Sequence, residues 1–205
     1  MKVILINGSP NARGCTYTAL SEVAKTLNIE GIETEMIHVG QKDIRGCIGC
    51  RKCKRSGQCV FNDIVNETAI KFKECDGIVI GSPVYFASAN GTLISFIDRL
   101  FYSSNCDKSM KVGAAVVSAR RGGNSATFDE LNKYFTISSM PVAASQYWNC
   151  VHGYTPEDVR KDEEGMQIMR TLGRNMAFLI KSIQLGKEKY GLPEKEKFTP
   201  TNFIR

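Results

Sequence analysis

The sequence predicts an α/β fold: a three-layer, doubly wound sheet of five parallel strands in the order 2-1-3-4-5. Continuous apolar runs alternate with stretches of helical periodicity along most of the chain. The runs lack the polar alternation of a half-exposed sheet, so helices must cover both faces. Five such runs suit this order better than a six-stranded dinucleotide-binding sheet, and ligands then bind beyond the carboxyl ends of the strands.

Lys2 to Asn7 is the first strand, a buried run of Val3, Ile4, Leu5 and Ile6 that breaks at Gly8-Ser9-Pro10. Thr16 to Leu27 follows as a helix, with Leu20, Val23, Ala24 and Leu27 at helical spacing. Thr34 to Val39 is the second strand, and a cysteine-rich loop separates it from a helix over about Asp63 to Cys75. Gly77 to Gly81 is the third strand, and Leu93, Phe96, Ile97 and Leu100 then mark the apolar face of a helix. Lys111 to Ser118 forms the fourth strand, Thr127 to Ser138 its helix, and Pro141 to Tyr147 the fifth strand. The last helix, about Pro156 to Leu185, repeats Met169, Leu172, Met176, Leu179 and Ile183, a stripe that belongs to the core. Residues 1–186 therefore read as one domain with a cysteine-rich loop at 47–59, and 187–205 as a C-terminal extension. Pro193 and Pro200 make that extension an arm, with Phe198, Phe203 and Ile204 as anchors for a partner subunit.

Eight cysteines in 205 residues would fit a small secreted disulfide scaffold, but this chain is long enough for a core of its own. Met1 opens directly onto a strand with no signal peptide, and no apolar run reaches membrane-spanning length. A soluble, cytoplasmic protein is expected, with Cys15, Cys75, Cys106 and Cys150 as free thiols. The formal net charge is +6, and much of it is local: Lys42, Arg45, Arg51, Lys52, Lys54 and Arg55 stand against Asp43 alone. Such an excess offsets thiolate charge or receives an acidic partner or cofactor. No aromatic ladder interleaves these charges, which argues against nucleic acid.

Those charges surround Cys47, Cys50, Cys53 and Cys59, spaced C-x2-C-x2-C-x5-C. The run is similar to the tight runs of bacterial ferredoxins, whose thiolates wrap the corners of a [4Fe–4S] cube, although Val60 stands where a proline usually follows the last cysteine. Zinc competes less well, because structural zinc usually takes two separated knuckles. A loop of unmetallated thiols is the other alternative.

Three loops leave the carboxyl ends of the strands. Asn7 to Thr16 suits a phosphate: its small residues let the backbone approach, the helix start presents free N–H groups, and Ser9, Asn11, Arg13 and Thr16 add donors beside Gly14 and Cys15. It is neither G-x-G-x-x-G nor G-x4-G-K-[ST]. Ser82 to Gly91 offers Pro83, Val84, Tyr85 and Phe86 as the surroundings of an aromatic ring, or as a hydrophobic plug on the sheet end. In Ser118 to Asn124, Gly122 and Gly123 permit close backbone contact, and Arg120 or Arg121 can meet a phosphate or ring carbonyl. No acid–base dyad or triad stands out; His38 ends the second strand, and His152 lies beside Trp148 and Asn149.

Together these loops resemble the NADPH-dependent FMN reductase family of the flavodoxin-like fold. The resemblance rests on Gly8-Ser9-Pro10 with Thr16, Ser82-Pro83-Val84-Tyr85-Phe86, Gly91 and Phe96-Ile97-Asp98-Arg99, and covers about Met1 to Tyr147. Within that family the Cys47 to Cys59 loop looks like the compact motif of the iron–sulfur flavoproteins. The resemblance implies FMN at the carboxyl edge of the sheet, a [4Fe–4S] cluster on the four cysteines, and a homodimer or homotetramer. It also implies a redox partner such as ferredoxin or NAD(P)H. Relatives often carry Asn-Thr where this chain has Cys15-Thr16, so one expected phosphate donor is replaced by a thiol whose backbone N–H remains available. A cluster-free NAD(P)H-dependent FMN or quinone reductase is the alternative. A non-enzymatic, flavodoxin-like carrier is the third, and the positive net charge speaks against it.

Overall fold

The computed structural model describes residues 1–201 and 203, so Ile204 lies outside the described residues. Its sheet has the expected order β2-β1-β3-β4-β5, and every paired neighbour is parallel. The strands are β1 (Lys2–Asn7), β2 (Glu33–His38), β3 (Gly77–Pro83), β4 (Val112–Ala119) and β5 (Cys150–His152). The helices are α1 (Cys15–Ile29), α2 (Cys53–Ser56), α3 (Ile64–Glu74), α4 (Gly91–Ser103), α5 (Asn124–Thr136), α6 (Pro156–Lys161) and α7 (Glu163–Tyr190).

Strand alternation divides the core into two layers. Ile4, Ile6, Ile78, Ile80, Ala115 and Val117 face one side and pack with residues of α3, α4 and α5. Val3, Leu5, Val79, Ala114 and Val116 face the other and pack with residues of α1 and α7. Almost all of these side chains are wholly buried, each stabilising the fold by about 1.5–3 kcal/mol if aliphatic and large.

Two elements differ from the sequence expectation. The fifth strand is not Pro141 to Tyr147. Only Val142 makes a bridge to Gly113 there, and the regular strand forms at Cys150–His152. Ser145 interrupts the path: its hydroxyl bonds the Tyr147 carbonyl at 2.6 Å and accepts from the Tyr147 N–H at 3.3 Å, turning the chain outward before it re-enters beside β4. The last helix is also divided. Asp162 adopts φ −73° and ψ 81°, accepts from Gly165 N–H as the cap of α7, and accepts from His152 N–H at 2.7 Å, tying the break to the end of β5. Beyond it α7 continues through Tyr190, so the first residues assigned to the extension are helical. Among the described residues no helix is long and apolar enough to cross a membrane.

Candidate functional site

The loop after β1 is ordered by its own side chains. Asn7 Oδ1 accepts from Ser9 N–H, Ser9 Oγ from Asn11 N–H, and Asn11 Oδ1 from Arg13 N–H, at 3.1, 3.1 and 3.3 Å. His38 Nε2 bonds the Ser9 carbonyl at 2.8 Å, so this histidine anchors the loop to the end of β2. Gly40 permits that approach, because a Cβ there would stand 2.0 Å from the Ser9 carbonyl oxygen. Asn11 and Arg13 are exposed, and α1 begins at Cys15 with its first-turn N–H groups facing the loop.

Thr16 and Ser118 are buried, and their hydroxyls bond each other at 2.8 Å across the ends of β1 and β4. One proton satisfies that bond, so the second hydroxyl proton is not used in it. The Ser118 carbonyl also accepts from Val84 N–H at 2.9 Å, joining the second loop to the third.

Tyr85 and Ser88 exchange backbone hydrogen bonds around a tight turn whose central residues, Phe86 and Ala87, have φ of 53° and 59°. That conformation normally takes Asn-Gly, so a phenylalanine there is strained and stands wholly in solvent. Glu130 of α5 steadies the turn, accepting from Ser88 Oγ at 2.9–3.0 Å and Ala89 N–H at 2.8 Å. Gly123, at φ 88°, lies beneath it: a Cβ there would come within 2.8 Å of Val84 Cγ1 and 3.0 Å of Ala87 Cα. Arg120, Arg121 and Gly122 are exposed on the third loop, and Asn124 Nδ2 meets His152 Nε2 at 3.1 Å beside it.

The cysteine loop has a different construction. Residues 43–50 have no regular structure, Cys47 and Cys50 are exposed, and Cys53 and Cys59 are half-buried. All four line one small cavity of about 20 Å³, together with Arg99 and Ser103 of α4. Ser103 Oγ is buried without a hydrogen-bond partner among the described residues, a polar atom left for whatever fills the cavity. Asn66 holds the backbone of Cys59 from both sides, at 2.9 and 3.1 Å.

Arg99 is 1 % exposed and pairs with Asp63 through two bonds of 2.7 and 2.9 Å. It also donates to Cys59 Sγ at 3.2 Å. Burial works against its charge, but the bonds to Asp63 and Cys59 outweigh this and raise its pKa. The Arg45 and Arg99 guanidinium groups both stand over the Phe61 ring, 5.4 and 5.1 Å from its centre. Outside the loop, burial pushes the Cys75 thiol up to about 11 and also raises Cys15 and Cys150.

The donor set fits an iron–sulfur group better than a single ion. Among the described residues, no three His, Cys, Asp or Glu side chains converge as one metal ion requires. Zinc needs four donors at about 2–2.3 Å from one point. A cube takes one thiolate at each corner and therefore needs thiols spread around a cavity.

The three strand-end loops thus touch one another, and the four cysteines share a cavity of their own. Sequence reasoning missed Arg99 and Ser103 in the lining of that cavity, and Asp63 and Asn66 as the residues that hold Arg99 and Cys59. Arg99 left a signal: it stands beside Phe96, Ile97 and Leu100 on an otherwise apolar face, where an unpaired charge would be costly. Asp63, Asn66 and Ser103 left none beyond ordinary helix-forming and capping residues.

This fold and these loops define a flavodoxin-like α/β protein with a carboxyl-edge ligand site. Residues 1–155 match the NADPH-dependent FMN reductase family. An iron–sulfur flavoprotein of Methanocaldococcus jannaschii is 37% identical over 197 residues, covering 90% of this chain and 100% of that protein. One from Methanosarcina thermophila is 29% identical over 196 residues, covering 92% and 100%. The NAD(P)H:quinone oxidoreductase of Methanothermobacter marburgensis superposes with a TM-score of 0.66 at 15% identity, covering 86% of this chain and 96% of that one, and so shares the fold. The chain belongs to the NADPH-dependent FMN reductase family, an FMN-binding oxidoreductase family, in the subgroup of these iron–sulfur flavoproteins.

Proposed function

We propose that the protein is an FMN-dependent oxidoreductase that carries a [4Fe–4S] cluster on Cys47, Cys50, Cys53 and Cys59. The observation that carries this reading is the shared cavity: four thiols, a buried guanidinium and an orphaned hydroxyl around one space, on a flavin-type sheet. FMN supplies exchange between two-electron and one-electron chemistry, and the cluster supplies a one-electron outlet.

The chain's own residues then have defined tasks. Asn11, Arg13, Gly14 and the N–H groups opening α1 at Cys15 and Thr16 receive the phosphate, with the Thr16–Ser118 pair as the fixed wall behind them. The Ser9 hydroxyl holds the loop in shape. Pro83, Val84, Tyr85 and Phe86 on one side and Arg120, Gly122 and Gly123 on the other border the ring. NAD(P)H or a small acidic carrier of the ferredoxin kind supplies electrons, the latter received by the basic collar around the cysteines. Exposed Phe86, Tyr147 and Trp148 favour a homodimer or homotetramer.

Anaerobic purification, with iron, acid-labile sulfide and FMN measured per chain, tests this. Equal iron and sulfide, about four of each, with one FMN is the expected result. Absence of both iron and sulfide after full reconstitution overturns the cluster. The second reading, a cluster-free NAD(P)H-dependent FMN or quinone reductase, is favoured by the exposure of the Cys47 and Cys50 thiols. Steady NAD(P)H oxidation with free flavin or quinone, unchanged in Cys50→Ser, would establish it.

A further inference from the structure

Arg99 is the largest of the fully buried side chains, and each of its five N–H groups has a separate acceptor. Nη1 donates to Asp63 Oδ2 and the Arg45 carbonyl at 2.7 and 3.1 Å, and Nη2 to Asp63 Oδ1 and the Phe61 carbonyl at 2.9 and 3.3 Å. The remaining donor, Nε, points to Cys59 Sγ at 3.2 Å. Asp63 thus fixes the plane of the guanidinium, and that plane fixes the direction of Nε. Among the described residues Cys59 is the one thiol of the four that accepts such a bond, and Asn66 pins its backbone as well.

We propose that Arg99 is the positioning residue of the cysteine site, making Cys59 its fixed corner and raising the reduction potential of the cluster through the Nε–H···Sγ bond. The proposal rests on the cluster reading above. An N–H donor on a ligating sulfur, carried by a buried cation, stabilises the more negative reduced form. Lysine keeps the charge but cannot span Asp63 and Cys59 in one plane, and methionine removes both charge and donors.

The test uses anaerobically reconstituted holoprotein as wild type, Arg99→Lys and Arg99→Met, with iron content and midpoint potential measured on each. The potential is expected to fall from wild type through lysine to methionine. The methionine variant should differ from wild type by at least about tenfold in the one-electron equilibrium constant, about 59 mV. A fall at unchanged iron content is a signature that a merely structural role would not give; equal potentials in all three proteins overturn the proposal.

If the variants fail to fold or load, wild type grown with ¹⁵N-arginine keeps it testable. Pulsed electron paramagnetic resonance of the reduced protein should show a ¹⁵N coupling to the cluster, and its absence overturns the bond. If wild type itself holds no iron or sulfide, the cluster reading is what has failed, and alkylation mapped by mass spectrometry tests the clamp alone. The Cys59 rate should then change by about tenfold or more in Arg99→Met while the rates of Cys47 and Cys50 stay as they were. An unchanged Cys59 rate in Arg99→Met overturns the clamp.

Discussion

The strand-end cradle and the cysteine cavity are served by the same helix yet built on opposite plans. Loop two leads into α4 at Asn90, whose side chain caps Thr92 and Leu93, while Arg99 and Ser103 lie toward the other end. At about 1.5 Å per residue, Arg99 is about 12 Å along the axis from Gly91. The cradle loops are held by short-range turns and by cross-links to one another, so their shape precedes any ligand. The cysteine loop is anchored at Cys59 and stands open at Cys47 and Cys50. A phosphate site can be made from backbone fixed by strands, whereas a multi-thiolate site needs chain free enough to bring thiols to separate corners.

The comparison is sharpened first by removing a thiol. Cys50→Ser should abolish iron and sulfide loading while leaving FMN affinity within about twofold, because among the described residues Cys50 lines the cysteine cavity and none of the strand-end loops does. Linked losses of iron and FMN would break the separation.

Thr16→Val comes next. It leaves the buried Ser118 hydroxyl without its partner, a cost of about 1–3 kcal/mol. FMN affinity, read by fluorescence titration of the apoprotein, should weaken about tenfold or more, with iron content unchanged. Glu130→Ala should act more locally, raising amide hydrogen exchange at Ala89 about tenfold and leaving residues 47–59 as they were. Faster exchange in both places would show that the regions are coupled.

The smallest effect lies away from both. Lys195, followed by the Ser109 N–H, holds the Asp107 carboxyl down at about 2 against an ordinary 3.8. A carboxylate depressed on folding contributes stability that is present above about pH 4 and is lost as pH falls toward 2. Both side chains are more than half exposed, so the contribution is slight. Lys195→Ala should return Asp107 toward its ordinary value in a pH titration followed by nuclear magnetic resonance, with FMN and iron contents unaltered.

Much of this was legible in the chain. The runs Val3 to Ile6 and Ile78 to Ile80 announced central strands, and Gly8-Ser9-Pro10 announced the first loop. The fifth strand was misplaced because Pro141 to Tyr147 carries apolar residues but also Ser145, whose hydroxyl competes for the backbone. The break at Asp162 was hidden because the helical stripe runs on beyond it, and a single capping aspartate disturbs no periodicity.

By itself the sequence determined the fold class, the strand order, the three strand-end loops and a four-thiol spacing suited to one cluster. These follow from near neighbours: apolar periodicity, turn residues and ligand spacing act over a few positions. Tertiary structure alone decided that Thr16 meets Ser118, 102 positions away, and that Arg99 reaches back 40 positions to Cys59. The physical reason is that a buried donor is satisfied by whichever acceptor packing brings within about 3 Å, and packing is set by the whole sheet.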